Sequence, residues 1–82
     1  MKTKDEVLQI IADALDINPE MLSSADKADE IEEWDSVGHL TILVALDKAC
    51  GGKVSSISAF AEADSITKIL DILVKNNLAK FD

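Results

Sequence analysis

Residues 32–40, E-E-W-D-S-V-G-H-L, gather the side chains of this chain with the widest chemical scope: the sole tryptophan Trp34, Asp35, Ser36 and the sole histidine His39. An acid, a hydroxyl and an imidazole so close together raise three possibilities: nucleophilic catalysis, metal binding and covalent modification of the hydroxyl. For catalysis, Ser36 and His39 would share a helix face. However, the serine lacks a G-x-S-x-G elbow and any evident oxyanion donors, and three groups packed into five helical residues are badly placed for serial hydrogen bonds. No catalytic residue is assigned. Asp35 and His39 have the i, i+4 spacing of a ligand pair, but one histidine and one cysteine make no structural zinc set, so no metal is expected.

The third possibility rests on helix chemistry. Asp35 and Ser36 are both good N-caps, and the plainest reading is that one of them caps and nothing more is meant. If Asp35 takes the cap, Ser36 becomes the first helical residue, its hydroxyl in solvent at the positive end of the helix dipole, where a phosphate ester is favoured. Gly38 follows in the first turn at a propensity cost of about 1 kcal/mol against alanine, and its missing side chain is expected to leave one approach to the serine open. His39 is expected to be a part-buried helix residue bordering the core, and Cys50 a small core hydrophobe at the helix end.

The flanking segments must position this stretch. Thr3 and Glu6 form a capping box, and Val7, Ile10, Ile11 and Ala14, widened by Leu8 and Leu15, predict a helix to about Asp16. N-P-E at 18–20 predicts a short turn anchoring Met21 and Leu22. From Ser23 to Asp35, Asp26, Asp29, Glu30, Glu32 and Glu33 surround only Ile31 and Trp34 as large apolar groups, which predicts a long ordered loop pinned at two points. The helix beginning at Asp35–Ser36 should end at Gly51 and Gly52, whose left-handed conformation suits a helix terminus. Residues 58–63 predict a short helix capped by Ser58 with Phe60 facing inward. Asp64 or Ser65 then caps a last helix on Ile66, Ile69, Leu70 and Leu73, fraying at Asn76 and Asn77. The expected fold is all-α, a four-helix bundle of three longer helices and one short one, in a single domain spanning residues 1–82.

The helix after Ser36 has two apolar faces. At 100° per residue, Ile42, Leu43, Leu46, Ala49 and Cys50 share a core arc with His39, whereas Val37, Leu40 and Val44 occupy another, accompanied by Thr41 and Lys48 with Asp47 at its margin. Either this second arc (Val37, Leu40, Thr41, Val44, Asp47) docks a partner, or the acidic loop covers it.

Composition limits the partners. The chain is 48% apolar, with 4% aromatic residues and a single proline, which suits aliphatic helices; at 82 residues a large enclosed active site is not expected. Sixteen acids against eight lysines, with no arginine, give a net charge of −8 that would repel both nucleic acid and anionic lipid headgroups. Such a field either serves solubility or steers basic partners in. Cys50 has no second thiol to pair with, Asp5 and Glu6 interrupt any signal sequence, and no run approaches membrane-spanning length. A cytoplasmic monomer is expected.

The stretch W-D-S-V-G-H-L-T-I-L-V-A-L-D-K-A-C-G, residues 34–51, resembles the D-S-L-containing second helix of acyl carrier proteins and peptidyl carrier domains. The resemblance runs through nearly the whole chain: first helix, N-P-E turn, acidic loop, D-S helix start, double glycine, short helix and the closing A-D-S-I-T-K-I-L-D-I-L. It implies that Ser36 is esterified by phosphopantetheine from coenzyme A, whose terminal thiol carries an acyl or aminoacyl thioester, and that Asp35 is read by the loading transferase. Implied partners are a phosphopantetheinyl transferase, an acyl- or aminoacyl-activating ligase and a downstream transferase or synthase. Val37 stands where leucine is commonest, and only Asp47 is acidic between Ser36 and Cys50, where carriers of fatty-acid synthesis usually show several acids. The resemblance therefore implies specialised biosynthesis. The alternative is an unmodified helical interaction domain that docks through Val37, Leu40 and Val44.

Overall fold

The computed structural model describes residues 2–24 and 27–80; Asp26, expected in the acidic loop, lies outside them. Four α-helices appear among the described residues, α1 (Lys4–Leu15), α2 (Glu20–Ser24), α3 (Ser36–Ala49) and α4 (Ile66–Lys75), with 3-10 turns at Ala28–Glu30 and Ser58–Glu62 and no named strand. The all-α expectation holds for these residues. Among them no helix is long and apolar enough to cross a membrane.

α1 starts at the expected capping box, in which the Thr3 hydroxyl accepts from the Glu6 amide at 3.2 Å and the Glu6 carboxylate accepts from the Thr3 amide at 3.3 Å. It buries Val7, Ile11, Ala12 and Leu15 and packs against α3. Leu8, Ile10 and Ala14 lie at the edge of that stripe, partly covered. Asn18 caps the next turn, its side-chain oxygen accepting from the Glu20 amide at 3.0 Å. Of the two residues expected to anchor there, Leu22 is buried. Met21, at 42% exposure, is not, because five residues of α2 present only one face to the core.

Ile31 and Trp34 pin the loop, at 3% and 5% exposure. Its start is tied to the entrance of α4: the Ala28 amide donates to the Asp64 carbonyl at 2.8 Å, and Lys27 forms a single antiparallel bridge with Ser65. α3 ends as expected, Gly51 and Gly52 taking φ of 68° and 82° while the Gly52 amide donates to the Asp47 carbonyl at 2.8 Å.

Residues 58–62 form a 3-10 helix rather than an α-helix. Their N-cap is Ile57, without a side-chain cap, not Ser58 as expected. The buried Phe60 holds this segment to the core. Ser65 caps α4, its hydroxyl accepting from the Lys68 amide at 3.1 Å, and Ile66, Ile69 and Leu73 are buried. Asn76 is the C-cap and Asn77 turns left-handed at φ 59°. The chain then runs beside its own beginning: the Lys2 amide donates to the Leu78 carbonyl at 3.1 Å and the Lys80 amide to the Lys2 carbonyl at 3.0 Å.

Candidate functional site

Asp35 is the N-cap of α3. Its backbone is extended, and its Oδ1 accepts from the Gly38 amide at 2.8 Å. That bond commits the carboxylate to the first turn and makes Ser36 the first helical residue. Ser36 is exposed, and its hydroxyl makes no hydrogen bond among the described residues.

Gly38 corrects the sequence expectation. It is buried, and a Cβ there would overlap the Glu33 carbonyl oxygen and lie 3.0 Å from Leu15 Cδ2. The missing side chain admits the acidic loop onto the helix and α1 beneath it; it does not open an approach to the serine. The glycine therefore fixes where the loop meets α3.

His39, half-buried as expected, does more than border the core. The Trp34 indole Nε1–H donates to His39 Nδ1 at 3.0 Å, and His39 Nε2 lies 2.9 Å from the Phe60 carbonyl. An indole nitrogen only donates, so Nδ1 is the acceptor and Nε2 carries the hydrogen given to Phe60. The two rings are nearly parallel, at 17°, but their centroids are 6.1 Å apart, so they meet edge to edge through the hydrogen bond more than face to face. Both ring nitrogens are engaged away from Ser36. The link was missed in the sequence because the carbonyl of Phe60 arrives from 21 residues downstream.

Two cavities open beside Ser36. The larger, about 610 Å³, lies between the loop and the start of α4, with Lys27, Trp34, Asp35, Ser65 and Lys68 on its walls. The smaller, about 280 Å³, shares Trp34, Asp35 and Ser36 and is closed by His39, Ala61 and Ala63. At the rim, the Lys68 ammonium, 2.8 Å from Asp64, holds that carboxyl below its usual range, and Asp64 in turn pushes the lysine up. Both groups stand in solvent, so the pair stabilises the fold only slightly. No group of three His, Cys, Asp or Glu that could hold a metal occurs among the described residues.

The second arc of α3 is exposed: Val37 at 73%, Leu40 at 62% and Val44 at 48%. The acidic loop does not cover it. Thr41 is exposed on the same side, its hydroxyl donating to the Val37 carbonyl at 2.9 Å, and Asp47 accepts from the Ser55 amide at 2.9 Å, bracing the turn after α3. A groove of about 370 Å³ runs beside this arc, with Leu40, Val44, Val54, Ile57 and Phe60 on its walls.

No family model, curated protein or solved structure matches the chain in the comparisons made.

Proposed function

We propose that this chain is an acyl or aminoacyl carrier in which Ser36 bears a phosphopantetheine arm. The observation that carries the reading is the division of labour at the start of α3: Asp35 spends its carboxylate on the cap, leaving the adjacent Ser36 hydroxyl exposed and unbonded among the described residues. The surroundings suit that group, since two cavities open beside the serine and the helix N-terminus favours a phosphate ester. When bound, the arm supplies a thiol that holds cargo as a thioester. Asp35 fixes the first turn and offers the transferase an acidic neighbour, while Val37, Leu40 and Val44 form the apolar surface on which partner enzymes settle. The chain itself catalyses nothing; tethering raises the effective concentration of cargo at each partner. With an apolar arc beside the serine, partners recognise shape and burial more than charge, which favours a role in specialised biosynthesis.

A second reading is an unmodified interaction domain, favoured by the exposure of those three apolar residues. Incubating the protein with coenzyme A and a broad-specificity phosphopantetheinyl transferase, then measuring its intact mass, separates the two. The carrier reading expects one phosphopantetheine added to the wild type and none to Ser36→Ala. No gain in the wild type, or an undiminished gain in the variant, leaves the interaction domain standing.

A further inference from the structure

We propose that His39 is a positioning residue for the modification of Ser36, holding together the two walls of the cavity onto which the serine opens. This rests on the carrier reading of Ser36. One wall is the end of the acidic loop at Trp34 and Asp35; the other is the 58–63 segment, which contributes Ala61 and Ala63. Among the described residues, His39 is the side chain hydrogen-bonded to both, to the Trp34 indole at 3.0 Å and to the Phe60 carbonyl at 2.9 Å.

The loop and the end of the 58–64 stretch are also joined through backbone, the Ala28 amide donating to the Asp64 carbonyl, and each wall has further contacts of its own. The loop is seated by Gly38 under the Glu33 carbonyl and by the burial of Ile31, and the 58–62 segment by the burial of Phe60. What His39 adds is their spacing across the first turns of α3. Ser36 lies three residues before it on the same helix and lines the same cavity, so the imidazole sets the spacing of the walls that an enzyme meets beside the exposed hydroxyl. The 58–62 segment is a 3-10 turn without a side-chain cap, and the bond at the Phe60 carbonyl supplies an anchor from outside it.

The two nitrogens can be tested separately. His39→Asn places an amide oxygen near Nδ1 and keeps the Trp34 bond alone, His39→Gln reaches toward Phe60 alone, and His39→Leu loses both; Trp34→Phe cuts the first bond from the other side. Transferase kinetics are measured with the intact protein and coenzyme A, below the unfolding transition, with helix content checked by circular dichroism. We expect KM for the carrier to rise about tenfold in His39→Leu, as loss of part-buried hydrogen bonds implies, with smaller rises in His39→Asn, His39→Gln and Trp34→Phe and kcat within about twofold. The single tryptophan gives a single indole N–H resonance, which should shift and exchange faster with solvent in His39→Leu and His39→Gln but stay near its wild-type position in His39→Asn. A loaded wild type with an unchanged KM in folded His39→Leu and Trp34→Phe overturns this proposal alone, as does an indole resonance indifferent to His39→Leu. A wild type that is never loaded overturns the carrier reading and this inference with it.

Discussion

At the residue scale, the surroundings of Ser36 are set by neighbours that do not touch its hydroxyl. Asp35 turns the chain into the helix, Gly38 lets the loop carbonyl settle on it, and His39 ties the loop to a segment downstream. Gly38 makes the sharpest prediction. Glycine to alanine inside a helix ordinarily stabilises by up to about 1 kcal/mol. Here the added methyl would strike a backbone carbonyl that cannot move aside as a flexible side chain would. Gly38→Ala should therefore destabilise the protein by about 1–3 kcal/mol in urea denaturation. That Asp35 or Ser36 caps the helix is legible from residue types, because capping is decided within four residues; which of the two caps, and so whether the Ser36 hydroxyl is left exposed, is shown by the Asp35–Gly38 bond. The role of Gly38 is not legible, since its neighbour in space, the Glu33 carbonyl, is backbone and leaves no mark on the sequence.

At the element scale, α3 serves two surfaces. Ile42 and Leu46 are fully buried against α1 and the core, and Val37, Leu40 and Val44 face outward. Leu40→Glu and Val44→Glu should shift stability by no more than about 0.5 kcal/mol while weakening transferase loading or partner binding. Leu46→Ala should cost about 2–5 kcal/mol in the same denaturation experiment. A pair of glutamate variants that unfold, seen as lost helicity, would place the arc in the core. Helical periodicity made α1, α3 and α4 legible almost to their ends, because each buries a stripe against neighbours. Short segments were less legible: Phe60 was correctly read as inward, but the turn around it is 3-10 and capped without a side chain. Met21 reads as an anchor in the sequence, but α2 is too short to bury both it and Leu22.

At the scale of the whole molecule, the two ends of α3 differ in chemistry. Ser36 lies at one, in solvent; Cys50 lies at the other, half-buried beside Lys2 and Lys53. Burial pushes the Cys50 thiol above its usual range, although the lysines pull the other way. A raised value leaves less thiolate at neutral pH, so Cys50 should alkylate more slowly than an unhindered thiol and catch up as pH rises. If Ser36 carries the proposed arm, iodoacetamide at neutral pH should label phosphopantetheine-loaded protein once rapidly, at the arm, and once slowly, while unloaded protein should show only the slow addition. Equal rates for the two thiols would contradict the burial assigned to Cys50.

The backbone bonds joining Lys2 to Leu78 and Lys80 bring the two ends of the described chain together beside Cys50. At 1.5 Å per residue, α3 sets them about 20 Å from Ser36. A label placed at Lys2 or Lys80 would therefore sit about 20 Å from the serine. A short peptide closing the ends would give a ring that could be reopened at Gly51–Gly52, where a permuted chain would begin and finish in solvent.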